Sequence, residues 1–95
     1  MEINKSDIVV SLNGRDADKR FVVIATEDEY SLLADGKGRR VEKPKRKKNK
    51  HIRLEGNADS RIVEKFKNEE RVTNSEIRRA LAEYAANGSG EKGGM

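Results

Sequence analysis

The chain has no cysteine, no tryptophan, one proline, one histidine, and only two phenylalanines and two tyrosines in 95 residues. Without cysteine there is no disulfide framework and no thiolate metal site, which fits a reducing compartment. A lone His51, with acids scattered through turn-rich and helix-patterned stretches, assembles no constellation for nucleophilic attack or metal-assisted hydrolysis. The expectation is a non-enzymatic protein with no cofactor, no metal and no small-molecule substrate. So few aromatics also leave no stacking platform of the kind that sequence-specific single-strand binders use. No segment approaches the roughly 18 apolar residues that a membrane-spanning helix needs. The opening MEINKSDIVV has no long apolar run behind its basic residue. A soluble, cytoplasmic protein without a membrane partner, monomeric when free, is expected.

What the chain has in abundance is charge: 40% of its residues are Asp, Glu, Lys or Arg, against 34% hydrophobic. That balance supports one small domain with a modest core. The charge is polarised. Lys37 to Arg53, KGRRVEKPKRKKNKHIR, holds ten Lys or Arg against the single acid Glu42, a local charge of +9 in a chain whose net charge is +4. The remainder is therefore acidic. Cations concentrated in one segment release counterions from a phosphate backbone in a way that scattered ones do not, so the run reads as a nucleic-acid contact surface.

Hydrophobic periodicity places the run in a fold. Ile8, Val10 and Leu12 alternate with Val9 and Ser11, a period near two that suits a strand over Asp7 to Leu12 with one buried face. Asn13 to Asp18 is rich in turn formers and predicts a loop. Phe21 to Ala25 is β-branched and aromatic and predicts a strand covered on both faces. Tyr30 to Ala34 follows a brief polar turn as a hairpin partner. Asp35-Gly36 suits a type I′ turn leading Arg39 to Glu42 back as a fourth strand. Pro44 cannot donate a ladder bond, so pairing should lapse there and Lys45 to Lys50 should project into solvent. Ile52 and Leu54 suggest a short fifth strand before Gly56. Five short strands in so few residues predict a mainly β fold, a small SH3-like barrel, with an OB-like barrel as the alternative.

After Gly56 the period becomes helical. Asn57, Asp59 or Ser60 can cap a helix carrying Ile62, Val63 and Phe66 and ending near Lys67-Asn68. Thr73-Asn74-Ser75-Glu76 has capping-box spacing, and Ile77, Ala80, Leu81, Tyr84 and Ala85 form one stripe behind it. Both helices are too short to stand alone, so they should pack on each other or on the barrel. Arg78 and Arg79 are read as solvated charges, with Glu83 one turn beyond Arg79 as its partner. The organisation expected is thus a barrel over residues 1–56, a two-helix extension over 57–86, and a glycine-rich disordered tail over 87–95.

In order along the chain, Asn13-Gly14-Arg15-Asp16, Phe21-Val22-Val23-Ile24, Leu33-Ala34-Asp35-Gly36-Lys37, Arg40-Val41-Glu42-Lys43-Pro44-Lys45 and Lys50-His51-Ile52 resemble the small bacterial KOW-domain RNA-binding proteins. Those are similar to a KOW-bearing large-subunit ribosomal protein of archaea and eukaryotes. The resemblance covers about residues 5 to 55, and Ser75 to Leu81 extends it less specifically. It implies RNA as partner, ribosomal RNA in particular, and ribosomal proteins as neighbours. It also implies an RNA-contacting loop carrying Gly14, Arg15, Lys19 and Arg20. Where the family has a glycine closing that loop, this chain has Asp18, so the backbone there must accept a non-glycine residue in the left-handed region.

The candidate RNA-binding residues are Lys43, Lys45, Arg46, Lys47, Lys48, Lys50 and His51, extended by Lys37, Arg39 and Arg40 and by Arg15, Lys19 and Arg20 of the first loop. Lysine dominates the run, and an ammonium makes point contacts with phosphate where arginine can read a base through a bidentate fork. Tyr30 is expected at the core or barrel rim. The alternative is a protein-interaction adaptor in translation or transcription that uses the barrel groove or the Ile77, Leu81, Tyr84 stripe.

Overall fold

The structure, a computed structural model, describes residues 2–87. It is a five-stranded antiparallel sheet followed by two helices: β1 (Asp7–Ser11), β2 (Arg20–Glu27), β3 (Tyr30–Ala34), β4 (Lys45–Lys48), a 3-10 turn (Asn49–His51), β5 (Ile52–Asn57), α1 (Ser60–Lys67) and α2 (Asn74–Ala86). The class is mixed α/β in place of the expected mainly β fold, because both helices share a core layer with the sheet. The sheet order β4-β3-β2-β1-β5 leaves β4 and β5 as its two edges, and no ladder joins them among the described residues. All but Asn87 of the expected tail lies outside the described residues; Asn87 caps α2, its N–H donating to the Glu83 carbonyl at 2.9 Å.

Two apolar clusters sit on opposite faces of the central strands. Ile8 and Val22 join Ala58, Ile62, Val72, Ile77 and Ala80 in the first, so the sheet and both helices share one layer of core. Val9, Phe21, Val23, Leu33 and Ile52 form the second, which draws its buried members from strands alone. This corrects the reading of β1 as a strand with one buried face. Val9 and Ser11 are fully buried as well, while Leu12 is the side chain left out, 48% exposed. A central strand between β2 and β5, with helices on one side and the rest of the sheet on the other, has no solvent face to give.

Irregularities in the ladders fit this double burial. Ile24 is the extra residue between Val23↔Leu33 and Ala25↔Leu32, and Glu55 is the extra residue between Val9↔Leu54 and Ile8↔Gly56. Such bulges bend and twist the strand that carries them. At Gly56 the ring of Tyr84 lies where a Cβ would stand, 2.7 Å away, and the Tyr84 hydroxyl donates to the Glu55 carbonyl at 2.9 Å. The end of α2 is thereby seated on β5.

The fourth strand is not Arg39 to Glu42. Gly36 has φ +81°, but Asp35 has no positive φ, so the type I′ turn does not form. Instead the Asp35 carboxylate accepts from the N–H groups of Lys37 and Arg39, both at 2.9 Å, and the Asp35 and Gly36 N–H groups donate to the Arg39 carbonyl. A loop closed on itself in this way cannot start a ladder. Pairing begins after Pro44, where Lys45 lies opposite Leu33 and Lys48 opposite Tyr30. Lys45 to Lys48 therefore form an edge strand in place of the expected solvent-projecting segment, and of Lys45 to Lys50 only Arg46 and Lys50 are exposed.

Both helices start where local chemistry sets them. Asp59 Oδ1 accepts from Ile62 N at 3.2 Å, and Thr73 and Glu76 form a reciprocal capping box. Of the stripe on α2, Ile77 is fully buried, and Leu81 and Tyr84 pack against the first cluster. Replacing Ile77 with Ala should lower unfolding stability by about 3 kcal/mol, the usual cost of a cavity at a closed site. Leu12→Ala should change it by less than about 0.5 kcal/mol. Urea midpoints of the two variants check this, and a neutral Ile77→Ala would mean that α2 is not docked on the sheet.

Candidate nucleic-acid interface

The alternation of an edge strand divides the basic run between two faces. Lys45 and Lys47 stand opposite Leu33 and Ser31, both fully buried, and Arg46 and Lys48 stand opposite the half-buried Leu32 and Tyr30. Lys45 and Lys47 are both half-buried. Lys45 Nζ reaches Asp16 Oδ2 at 2.9 Å, and Lys47 Nζ donates to the Asn13 carbonyl at 3.1 Å. Those two bonds latch the β1–β2 loop onto β4.

The loop has the shape this requires. Gly14 and Asp18 both adopt positive φ, +79° and 71°, and Asp18 N donates to the Ser11 carbonyl at 2.8 Å. The expectation that Asp18 takes the left-handed region in place of a glycine is met. Arg15 is exposed at the tip, and Lys19 pairs weakly with Asp16 at 3.8 Å. The Lys45 ammonium hydrogen-bonded to Asp16 holds its carboxyl below the ordinary aspartate range, with Lys19 and Arg39 acting the same way and partial burial opposing them.

On the outer side, the Arg46 guanidinium lies over the Tyr30 ring, 3.6 Å from its centroid, and Nε donates to Glu27 Oε1 at 2.9 Å. Lys48 Nζ stands 5.9 Å from the same ring. The Tyr30 face is thus occupied by cations of its own chain. Asn49, the one neutral amide within the run, anchors the turn that follows. Its N–H donates to the Glu29 carbonyl at 2.8 Å, and its Oδ1 accepts from the buried Ser31 hydroxyl at 2.6 Å. Lys50 projects from that turn, exposed, while His51 is half-buried and its carbonyl accepts from Leu12 N at 2.9 Å.

The remaining candidates lie elsewhere. Arg20 faces β5 and α2, with Nε 3.1 Å from Glu55 Oε1 and its guanidinium 5.5 Å from the Tyr84 ring centroid. Arg53 and then Arg20 hold the Glu55 carboxyl below its ordinary range. Lys37, Arg39, Arg40 and Lys43 ride on the loop between β3 and β4, with Arg40 3.6 Å from Glu42. Arg15, Lys37, Arg39, Lys43, Lys47, Lys48 and Lys50 form no ion pair among the described residues. The charge run alone does not reveal Asp16, Glu27 and Tyr30 as partners, because strand pairing brings Tyr30 and Glu27 to β4 and the fold of the β1–β2 loop brings Asp16 there.

Two readings of α2 are corrected. Arg78 is not merely solvated: Nη1 donates to the Gly36 carbonyl at 2.6 Å. Glu83 is taken by Arg61, at 3.6 Å, from α1. A groove of about 540 Å³ opens where α1 faces α2, lined by acids and bases together, including Glu64, Glu70, Lys65 and Arg79. Among the described residues no helix is long and apolar enough to cross a membrane, and no group of three His, Asp or Glu could hold a metal ion.

Asp16 supplies a direct check of the loop latch. Its folded pKa is depressed, so the stabilisation is present above the unfolded value and is lost as pH falls through the folded one. Between about pH 6 and about pH 3, the Asp16→Asn variant should lose less stability than the parent chain. Parallel acid limbs in denaturant titrations would show that the pair contributes nothing.

No protein-family model matches the chain, and no curated protein matches it closely enough to be counted as a relative.

Proposed function

We propose that this protein is a non-enzymatic RNA-binding module that holds the phosphates of structured RNA on β4, the turn after it and the latched β1–β2 loop. The observation that carries the reading is the composition of the edge strand. All four residues of β4 are Lys or Arg, and two of them tie the loop bearing Arg15 and Lys19 to the same edge. Cations that lie far apart in the sequence are thereby gathered into one surface.

The mechanism is electrostatic and geometric. Lys43 on the loop before β4, Lys47 and Lys48 on the strand, Lys50 on its anchored turn and Arg15 on the β1–β2 loop have no acidic partner among the described residues. Each displaces counterions from phosphate. Lysine ammonium groups position a backbone without reading bases, so recognition follows the shape of a folded RNA. Ribosomal RNA is the case that the KOW resemblance implies, with association to the ribosome in the cytoplasm. The same resemblance calls for an SH3-like barrel. Supporting it are the return of β5 to β1, the 3-10 turn between β4 and β5, and the second buried cluster built from strands. The adaptor reading loses one of its surfaces, since the Ile77, Leu81, Tyr84 stripe lies against the core.

With four or five phosphates neutralised, log K for a structured RNA should fall against log salt with a slope of about −3 to −5. Replacing Lys43, Lys48 and Lys50 together with Ala should lower affinity, reduce that slope by about 2, and leave thermal stability near that of the parent. Arg20→Ala, on the other side, should bind as the parent does. Fluorescence anisotropy across a salt series measures all three. Unchanged affinity in the triple variant would remove the basis of this reading.

A further inference from the structure

The segment from Gly36 to Lys43 brings four of the candidate cations, Lys37, Arg39, Arg40 and Lys43, yet it belongs to no strand or helix. Asp35 closes its first half from within, through the N–H groups of Lys37 and Arg39, and α2 holds it from outside. Asn74, the first residue of α2, is 7% exposed and turns its amide away from its own helix. Its Oδ1 accepts from Val41 N at 2.8 Å, and its Nδ2 donates to Glu42 Oε1 at 2.9 Å and Oε2 at 3.2 Å. One turn along, Arg78 Nη1 donates to the Gly36 carbonyl at 2.6 Å, while Nη2 donates to Ser75 Oγ at 3.1 Å. The approach is close enough that a Cβ on Gly36 would stand 2.5 Å from the Asn74 carbonyl oxygen and 2.8 Å from Arg78 Cγ. With φ at +81° as well, only glycine suits that place.

We infer that Asn74 is a positioning residue for RNA binding: from the start of α2 it clamps the loop ahead of β4 at Val41 and Glu42, and together with the Asp35 bonds to Lys37 and Arg39 it makes Lys37, Arg39, Arg40 and Lys43 a fixed extension of the cationic edge. The inference rests on the RNA-binding reading above. Two physical consequences follow from the geometry. Chain already ordered in the free protein loses less freedom when its lysines meet phosphate, so affinity rises without any added charge. The one acid of the basic run, Glu42, is also engaged by the Asn74 amide and by Arg40, which holds a carboxylate that would otherwise repel phosphate in a single direction. The amide is suited to this because it accepts from a backbone N–H and donates to a carboxylate at once. Neither an acid nor an alanine at position 74 does both.

The test exchanges the donor and acceptor across the clamp. In Asn74→Asp, two carboxylates face each other at hydrogen-bond distance and the clamp opens, while an acid in the first turn of α2 suits the helix N-terminus and keeps the helix formed. In the double variant Asn74→Asp/Glu42→Gln, the amide introduced at position 42 donates to the carboxylate introduced at position 74, which still accepts from Val41 N, and the net charge equals that of the parent. Affinity for a structured RNA hairpin, its salt slope, and hydrogen exchange of the Val41 amide are measured on all three full-length chains. Asn74→Asp should weaken binding by about 3- to 10-fold, flatten the salt slope and speed Val41 exchange. The double variant should restore all three to near the parent values. A single variant that binds as tightly as the parent while Val41 exchange quickens overturns the inference, as does a double variant that regains Val41 protection without regaining affinity. A parent chain with no RNA affinity overturns the RNA-binding reading itself, and is distinguishable because the exchange data then still report on the clamp.

Discussion

The burial of β1 and β2 on both faces is the constraint from which the rest of the molecule follows. Ile8 and Val22 lie under the helices, and Val9, Phe21 and Val23 lie on the opposite side, all of them fully buried. A chain with 34% hydrophobic residues cannot cover five strands in this way. Apolar side chains are therefore concentrated at the centre of the sheet, and its edge is left to charge. Edge strands made of lysine also resist pairing with another chain, since like charges and long solvated side chains oppose the approach of a second strand. The composition of β4 thus serves the fold as well as the proposed partner.

The acids of the chain sort its cations. Asp16, Glu27 and Glu55 each take one or more basic side chains that the sequence alone assigns to the RNA surface: Lys45, Arg46 and Arg20 respectively. What remains without an acidic partner among the described residues is a smaller set, grouped on β4, its following turn, the β1–β2 loop tip and the clamped loop. Paired cations fix geometry; unpaired ones are open to phosphate. Exposed pairs of this kind contribute little to stability one by one, so their value lies in holding the loop and strand in register.

Where local chemistry decides an element, the sequence shows it. The β-branched run at Phe21 to Ala25, the strand at Tyr30 to Ala34 and the caps at Asp59 and Thr73 all follow from rules that act within a few residues. The fourth strand falls later than expected because Lys45-Arg46-Lys47-Lys48 has no apolar alternation to announce it. Its pairing is set by the self-closed Asp35 loop before it and the Asn49 anchor after it. β1 reads as half-exposed because alternation in sequence does not reveal a second covering layer. For the candidate site, the charge run is legible as composition, whereas its division into inner and outer faces, the Asp16 latch and the Asn74 clamp depend on residues brought together from distant parts of the chain.

The most direct measurement is a residue-resolved one: ¹H–¹⁵N spectra of the isotopically labelled protein titrated with a structured RNA hairpin at low salt. Amide shifts concentrated in residues 13–19 and 37–51, reversed by added salt, are the result that the account predicts. Shifts confined to the α1–α2 groove, or none at RNA concentrations that saturate other phosphate-binding modules, would contradict it.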